Sequence, residues 1–380
     1  MDTARMKRSF ARAGEFGDEV PLFFYSHLFL THPETRQMFP VSMMQQRDRL
    51  LAALGHVTAK VDELDELVPF LQSLGRDHRK FGALAAHYPA VGASLLATLS
   101  HFLGDEWTPE LAADWEAAYG LVAQVMVEAA DGANDQPAWW DAKVVGHERR
   151  TPDIAVLTVR PVPTFDFLPG QSVSVETQLR PRLWRFFSIA SAPDEEGILE
   201  LHVQARDGGP VSSALAHHIA VGDLLRLGPP VGQLTLDPLS DRDLLLVAAG
   251  TGLAPMKALI GHVAQPEHPR RVHLFWGVRR ADDLYDLAAV ERLTAEHHWL
   301  TVTVAVSDQD DYPGERGLIA DVVVRHGPWT SWDVCICGSP SMIESTRTQL
   351  VAARVPAPRI RTEAYTPSRQ APQVERGETR

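Results

Sequence analysis

The chain has 380 residues, 45% of them hydrophobic and 22% charged, with a formal net charge of −13, which together predict a globular protein of two or three domains. The negative charge argues against nucleic acid or an anionic membrane as the main partner, and no apolar run approaches the roughly 20 residues that span a bilayer. With only Cys335 and Cys337, and no apolar signal segment after Met1, we expect a cytoplasmic protein without a disulfide framework or a cysteine-bound iron–sulfur cluster.

Residues 1–133 are predicted to form an all-α domain, because their apolar residues recur at steps of three and four. The predicted helices contain residues 22–30, 50–57, 67–78, 91–102 and 111–127. Leu67, Leu71, Leu74 and His78 follow steps of four, three and four, so His78 shares the apolar face of its helix. The chain has 16 histidines, and a single one on such a face is more often a core or surface residue than a metal ligand.

Residues 134–238 are predicted to form an antiparallel β-barrel domain. Short β-rich runs alternate with turn clusters such as Pro169-Gly170 and Gly208-Gly209-Pro210. The predicted strands are 154–159, 172–175, 186–189, 199–203 and 224–227. Short strands at this spacing are typical of antiparallel barrels.

Residues 239–367 are predicted to form an α/β doubly wound domain. The continuous apolar run 244–247 is typical of a buried parallel strand. After it, the predicted strands 272–275, 302–306 and 334–337 alternate with helices near 287–296, 317–325 and 341–353. This alternation favours a parallel sheet with helices on both faces. The polar tail, 368–380, is predicted to be disordered.

Three motifs in the last two domains suggest dinucleotide chemistry. Arg185-Phe-Phe-Ser188 offers a guanidinium for a pyrophosphate and an aromatic ring for a flavin. Gly250-Thr-Gly252 follows an apolar strand and opens a helix, where a backbone can approach a pyrophosphate. Cys337-Gly-Ser-Pro340 ends a later strand, where ligands bind in this fold class. Alone, these motifs also fit a surface arginine with a core phenylalanine, a structural turn and a buried cysteine.

Together, in this order and spacing, the motifs resemble the ferredoxin–NADP reductase family. The resemblance implies that FAD is bound by Gln171, Arg185, Phe187, Ser188, Val211 and Ser212. It implies that NAD(P)H is bound by Gly250, Thr251, Gly252, Pro255, Cys337, Gly338 and Pro340. Tyr365, on the family's last strand, would cover the flavin ring. Phe187 stands where the family usually has tyrosine, which removes a hydroxyl but keeps a stacking ring. The choice between NADH and NADPH stays open.

The helical third resembles a globin, and the whole chain resembles a flavohaemoglobin. The matching residues are Tyr25, Phe39, Gln46, Leu50, His78 and Tyr88. The resemblance implies haem b held by His78, with Phe39 and Leu50 packing on it and with Tyr25, Gln46 and Tyr88 in catalytic positions. The family typically has a glutamate in the last globin helix, but that place falls on Ala130 here, and the nearest carboxylate, Glu128, points to another side of the helix.

The resemblance implies an NO dioxygenase whose small-molecule partners are NO, O2 and NAD(P)H, with no protein partner required. Electrons would pass from NAD(P)H to FAD and then to haem, while Tyr25 and Gln46 hydrogen-bond to the bound O2. The same cofactors also suit an oxidase, a hydroperoxide reductase or a dehydrogenase. A gas sensor or NO store kept ferrous by its own reductase, and a haem-free docking module, are the remaining alternatives.

Overall fold

The computed structural model describes residues 1–265 and 270–364. The chain divides into two compact units, Met1–Trp139 and Trp140–Arg380. Tyr365 and the tail predicted to be disordered lie outside the described residues. Among the described residues, no single helix is long and apolar enough to cross a membrane, although the pair Leu64–Phe81 and Ala85–Glu106, bent by 99°, passes that test when counted together.

The first unit is helical, as predicted. Over residues 1–139, all of them described, the α-helices are Thr3–Gly14 (α1), Glu19–Thr31 (α2), Met44–Ala59 (α3), Leu64–His78 (α4), Tyr88–Leu103 (α5) and Pro109–Asp131 (α6). Helix α6 begins at a side-chain cap, where Thr108 Oγ1 accepts a hydrogen bond from the Leu111 backbone N–H at 3.3 Å. The larger core of this unit joins α1, α2, α5 and α6, and a smaller one joins α4 to α6.

Helices α4 and α6 lie unusually close together at Gly75. A Cβ atom at this position would overlap the carbonyl oxygen and Cα of Met126 on α6. Leu67 and Leu71 on α4 pack against the Met126 side chain in the same core. Since His78 follows Gly75 by less than one turn, this backbone contact fixes the end of α4 that carries the histidine.

The second unit begins with an antiparallel sheet. Its strands are Trp140–Arg149 (β1), Ile154–Val162 (β2), Ser172–Thr177 (β3), Arg185–Ser188 (β4), Leu199–Gln204 (β5) and Leu224–Val231 (β6), with helix Pro210–His217 (α7) before β6. The strand order is β4-β3-β6-β1-β2-β5. An antiparallel bridge between Ile189 and Leu201 joins the end of β4 to β5, so the two edges of the sheet meet. This arrangement confirms the predicted barrel.

A parallel sheet follows in the same unit and confirms the predicted doubly wound fold. Its strands are Leu244–Ala249 (β7), Val272–Val278 (β8), Leu300–Val306 (β9), Glu315–Arg316 (β10), Asp333–Gly338 (β11) and Ile360–Ala364 (β12). The helices between them are Leu253–Val263 (α8), Leu287–Glu296 (α9), Ile319–Arg325 (α10) and Pro340–Ala352 (α11). The strand order, β10-β9-β8-β7-β11-β12, changes direction between β7 and β11, where such sheets bind ligands.

Strands β1 and β10 are not among the predicted strands. In β1 the buried residues Trp140, Ala142 and Val144 alternate with exposed ones, but the register shifts between Val144 and Gly146. That bulge interrupts the alternation on which a sequence-based prediction depends. The two-residue strand β10 is too short to carry a pattern.

The glycine contact between α4 and α6 generates a stability prediction. Gly75→Ala should lower the free energy of unfolding of the helical unit by about 1–3 kcal/mol, because the added methyl group must displace the α6 backbone. Chemical denaturation followed by far-ultraviolet circular dichroism measures the change. The control is Gly120→Ala on α6, where nothing lies within 4 Å of a new Cβ atom, and alanine should stabilise the helix by about 0.5–1 kcal/mol. Equal effects of the two substitutions would contradict the prediction.

Candidate functional site

His78 is the last residue of α4, and its ring is held by the backbone of its own helix. The Nδ1 atom lies 2.7 Å from the carbonyl oxygen of Leu74. Burial lowers the pKa of His78, and the bond to Leu74 opposes this only in part. The imidazole is therefore neutral at physiological pH, with Nδ1–H donating and the Nε2 lone pair available for a metal. This donor and its oriented ring suit an axial ligand of haem iron.

Tyr25, Phe39 and Gln46 come together from three segments of the helical unit. The Tyr25 hydroxyl lies 3.5 Å from the backbone carbonyl oxygen of Gln46, at the start of α3. The Tyr25 ring packs edge-on against Phe24 and Phe39, at centroid distances of 5.0 and 5.4 Å. Burial raises the pKa of Tyr25 to about 12, so the phenol keeps its proton and remains a hydrogen-bond donor.

Leu50 and Tyr88 also pack in the two cores of this unit. Leu50 contacts the core that contains Tyr25, and Tyr88 contacts the smaller core of α4 and α6. The Tyr119 hydroxyl donates to the backbone carbonyl of Tyr88 at 2.6 Å, which ties the start of α5 to α6. Burial raises the pKa of Tyr88, so this phenol is also protonated.

The region around His78 contains a charge pair that the sequence pattern did not predict. Lys80 is buried and forms an ion pair with Asp77. Its Nζ atom lies 5.3 Å from the centre of the Phe81 ring. On the last helix of the unit, Glu128 is exposed and accepts a hydrogen bond from Gln124 at 2.8 Å. The exposed position of Glu128 agrees with the expectation that it does not replace the glutamate that the family typically has at the place of Ala130.

The predicted flavin residues lie on β3, β4 and the turns beside them. Ser188, at the end of β4, is buried, and its hydroxyl lies 3.3 Å from Ser172 Oγ. Gln171 fixes the turn before β3, because its side-chain oxygen accepts from the Leu168 backbone N–H at 2.8 Å. Phe187 packs against the barrel core, whereas Phe186 is 53% exposed. Arg185 shares one face of β4 with Phe187 because side chains alternate along a strand.

Helix α7 supplies the remaining predicted flavin residues. Val211 is buried in the barrel core. The Ser212 hydroxyl donates to the Gly209 carbonyl at 3.1 Å and accepts from the Arg206 backbone N–H at 3.3 Å. These bonds shape the turn at the N-terminus of α7, whose N–H groups point toward the start of the helix and suit a pyrophosphate.

The predicted nucleotide loop connects β7 to α8 at the point where the strand order changes. Gly250–Gly252 forms one turn of 3-10 helix, and Leu253–Val263 continues it as α8 with Pro255 buried. Trp276 Nε1–H donates to the Gly250 carbonyl at 3.0 Å and so holds the loop to β8. A Cβ atom on Gly252 would overlap the Cys337 carbonyl. The loop therefore lies directly against the end of β11, which only glycine permits.

The predicted nicotinamide residues lie at this same edge. Cys337 pairs with Ala248 on β7 and with Glu363 on β12. Gly338 ends β11, and Pro340 opens α11 behind the cap residue Ser339. Thus the structure brings Gly250, Thr251, Gly252, Cys337 and Gly338 together at the carboxyl ends of two neighbouring strands.

Glu363 is a further polar residue at this site that was not among the predicted site residues. It accepts a hydrogen bond from the Ser172 hydroxyl, so it joins β12 to the flavin strands. Its Oε2 atom is buried and has no hydrogen-bond partner among the described residues. Burial raises the pKa of Glu363, and the bond from Ser172 opposes this only in part. Its position two residues before Tyr365 in the sequence was the available signal.

Comparison with known proteins identifies three domain families in chain order. Residues 22–126 match the globin family, 141–236 match the oxidoreductase FAD-binding domain, and 246–348 match the oxidoreductase NAD-binding domain. A flavohemoprotein of Bordetella parapertussis is 30% identical over 92% of this chain and 94% of its own length. The chain belongs to the flavohaemoprotein family.

Two further flavohaemoproteins show the extent of the likeness. The Bacillus subtilis flavohemoprotein is 26% identical over 87% of this chain and 88% of its own length. The crystal structure of the Malassezia yamatoensis flavohemoglobin, which has bound FAD and heme, superposes with a TM-score of 0.78 at 20% identity. It covers 96% of this chain and 98% of its own chain, so the two share a fold.

The comparisons confirm the predicted family and its cofactors, haem, FAD and NAD(P)H. The residues present suit these groups. The neutral imidazole of His78 suits iron, and the bare backbone of the Gly250–Gly252 turn suits a pyrophosphate. The roles of the individual side chains remain predictions.

The orientation of His78 generates a test of its role. His78→Ala should abolish stable haem binding, because the substitution removes the neutral nitrogen donor. The Soret band of the purified protein measures the loss, and added imidazole should restore part of the band. The matched control is His32→Ala, which removes a histidine of the same unit whose side chain is 40% exposed, and it should leave the spectrum unchanged. A normal spectrum for His78→Ala would exclude this residue as the iron ligand.

Proposed function

We propose that this flavohaemoprotein is a nitric oxide dioxygenase, which converts NO and O2 to nitrate with electrons from NAD(P)H. The observation that carries the proposal is Tyr25, a buried, protonated phenol held beside Gln46 in a globin unit that also contains His78. The balance is simple: each NAD(P)H supplies two electrons, which suffice for two molecules each of NO and O2 and give two nitrates, NAD(P)+ and one proton.

When bound, FAD turns the hydride of NAD(P)H into single electrons, and reduced haem provides the place where O2 and NO react. His78 would hold the iron, and its bond to Leu74 keeps the ring from rotating. Tyr25 would donate its hydroxyl proton in a hydrogen bond to the oxygen substrate. Its pKa of about 12 ensures that the donor is not lost as the phenolate.

The surroundings of Tyr25 support this role. Phe24, Phe29 and Phe39 surround its ring, with centroid distances of 5.0, 5.7 and 5.4 Å. A hydroxyl surrounded by apolar side chains stabilises developing negative charge more strongly than the same group does in water. Leu50 packs against the same core and would restrict the space for larger substrates.

The hydrogen bond at Nδ1 of His78 favours a second candidate function. The Nδ1–H donates to a neutral backbone carbonyl, and Ala130 stands where the family typically has a carboxylate. A carbonyl makes the imidazole less basic than a carboxylate does. A member of this family with a different acceptor, such as an alkyl hydroperoxide, would use the same electron route.

The proposed activity is tested by NADH- or NADPH-driven NO consumption in air by the holoprotein, with nitrate as the measured product. We expect consumption far above that of free flavin, and faster turnover with NO than with alkyl hydroperoxides. Consumption no faster than that of free flavin would exclude the dioxygenase, and faster turnover with hydroperoxides would favour the second candidate.

The role of Tyr25 generates a separate prediction. Tyr25→Phe should raise the O2 dissociation rate of the ferrous protein by about 10-fold, the loss of one hydrogen bond of about 1.4 kcal/mol. Flash photolysis or stopped-flow displacement by carbon monoxide measures the rate. Tyr312→Phe, in the other unit, is the control and should leave it unchanged. An unaltered rate in Tyr25→Phe would remove this residue from the proposed site.

A further inference from the structure

A network of charged and polar side chains joins the barrel to the nucleotide domain inside the second unit. Glu200 and His202 come from β5, on one face of the strand. Lys257 comes from α8, and Tyr285 and Asp286 precede α9. None of these five residues belongs to the three motifs that predicted the cofactor sites.

The network is continuous in its hydrogen bonds. Lys257 Nζ donates to Glu200 Oε1 at 2.7 Å and to Asp286 Oδ2 at 2.6 Å. His202 bonds through both ring nitrogens, at 2.8 Å to Glu200 Oε1 and at 2.6 Å to the Tyr285 hydroxyl. Barrel residues thus contact nucleotide-domain residues at two points, the lysine and the tyrosine.

The protonation states of these groups give every hydrogen bond of the network one donor and one acceptor. Burial alone would raise the pKa of Glu200, but the bond from His202 and the charge of Lys257 outweigh burial and lower this pKa to about 2. Burial lowers the pKa of His202 and raises that of Tyr285 well above its usual value. A neutral His202 donates from Nε2 to the glutamate and accepts at Nδ1 from the phenol.

A metal ion is the alternative occupant of this cluster. The ligand atoms of Glu200, His202 and Asp286 lie within 4.8 Å of one another, a spacing that a divalent cation could use. However, the Lys257 ammonium already bonds to both carboxylates. Two cations of the protein, Lys257 and Arg150, the latter with Nη1 at 3.7 Å from Asp286 Oδ1, therefore face the two carboxylates, and no metal is needed to balance their charge.

Stability alone does not explain such a network. Buried ion pairs lose hydration, and apolar side chains of the same size often stabilise a fold as well or better. Asp286 illustrates the cost: it is 1% exposed, and its Oδ1 has no hydrogen-bond partner within the described ranges, with Arg150 Nη1 at 3.7 Å. Directional hydrogen bonds fix the orientation of the bonded side chains better than apolar packing does.

On the barrel side, the network is attached to the predicted flavin strand. The backbone carbonyl of Glu200 accepts from the Ala190 N–H at 2.8 Å, two residues beyond Ser188. Leu201, between the two network residues of β5, forms the bridge with Ile189. These two contacts therefore join the network strand β5 to the residues that directly follow β4.

On the nucleotide side, the network is attached to Gly250–Gly252, the loop predicted to bind the nucleotide phosphates and called the phosphate loop below. Lys257 lies two residues beyond Pro255 on α8. The Tyr285 ring packs edge-on against Trp276 at a centroid distance of 5.7 Å, and Trp276 donates to the Gly250 carbonyl. Tyr285, Trp276 and Cys337 belong to one buried core. The predicted phosphate end of the nucleotide site, at Gly250, is thus bonded to Trp276, which contacts Tyr285. The predicted nicotinamide end, at Cys337, shares a buried core with Tyr285.

We propose that Glu200, His202, Lys257, Tyr285 and Asp286 are positioning residues that set the distance between the flavin and the nicotinamide for hydride transfer. They touch neither cofactor in this assignment and act through β4 and the phosphate loop. In the step itself, the hydride leaves the nicotinamide ring of NAD(P)H, which is oxidised, and reduces FAD. This inference rests on the proposed electron route from NAD(P)H to FAD, but not on the identity of the final acceptor.

The test uses the anaerobic holoprotein and follows flavin reduction by NAD(P)H in a stopped-flow instrument. Lys257→Met removes both central ion pairs while keeping an unbranched side chain on α8. We expect the rate constant of flavin reduction to fall by about 10- to 100-fold, because small misplacements of reacting atoms have effects of this size. The isotope effect with NAD(P)H deuterated at the transferred hydrogen should rise, while NAD(P)H affinity stays the same.

One further readout, two further variants and a control make the result decisive. Hydrogen exchange of Leu199–Gln204 and Leu253–Val263 in the absence of NAD(P)H should become faster in Lys257→Met. Tyr285→Phe keeps the ring and should give a smaller loss of rate in the same direction. The triple variant Glu200→Gln, Lys257→Met, Asp286→Asn leaves no unpaired charge, so its rate is measurable if Lys257→Met fails to fold. The control, Lys143→Met, changes an exposed lysine on β1.

An unchanged reduction rate and isotope effect in the folded variants would overturn the proposal, even with faster hydrogen exchange, because the network would then be structural only. A wild-type flavin that NAD(P)H does not reduce would instead overturn the proposed electron route. The two failures are therefore distinct.

Discussion

The exclusion of a Cβ atom at two backbone contacts holds the candidate groups of both units in place. Gly75 lets α4 lie on the Met126 backbone, and His78 follows on the same helix. Gly252 lets the phosphate loop lie on the Cys337 carbonyl. In each unit a segment predicted to be functional is thus fixed by a contact of backbone with backbone, which is less adjustable than a contact through a flexible side chain. The side-chain bonds described above orient groups within frames that these contacts have already set.

His202, which is buried, and His78, which is partly buried, show how one physical effect can accompany different proposed roles. Burial lowers the pKa of both His78 and His202, so both imidazoles are neutral. His78 uses only Nδ1, toward the Leu74 carbonyl, whereas His202 uses both nitrogens. A neutral imidazole with one nitrogen left over can bind a metal, but one with both nitrogens engaged serves only as a hydrogen-bond bridge. The hydrogen-bond partners, rather than burial, therefore separate the candidate ligand from the positioning residue.

The helices and strands that could be predicted from the sequence are those that a local pattern of residues indicates. The step pattern of Leu67, Leu71, Leu74 and His78 predicted α4 with its histidine at the end, and the run 244–247 predicted β7. The bulged strand β1 escaped prediction because its alternation is interrupted at Val144. The network escaped for another reason: Lys257 is 57 residues from Glu200 and 29 from Asp286. Charged residues so far apart in the sequence form no local pattern. They become neighbours only because the fold brings β5, α8 and the turn before α9 together.

The two sides of the candidate haem site differ in the electrostatic effects that they can provide. On the His78 side, a backbone carbonyl accepts the Nδ1 proton, and Ala130 contributes no carboxylate. As the predicted iron ligand, this imidazole would be less basic than one paired with a carboxylate, and it would donate less electron density to the iron. On the Tyr25 side, a protonated phenol in an aromatic wall is available to stabilise negative charge from outside. A chemistry that needs negative charge to be stabilised on the oxygen substrate suits this division. We infer that Tyr25 contributes a larger share of the proposed activity here than it would beside a histidine–carboxylate pair.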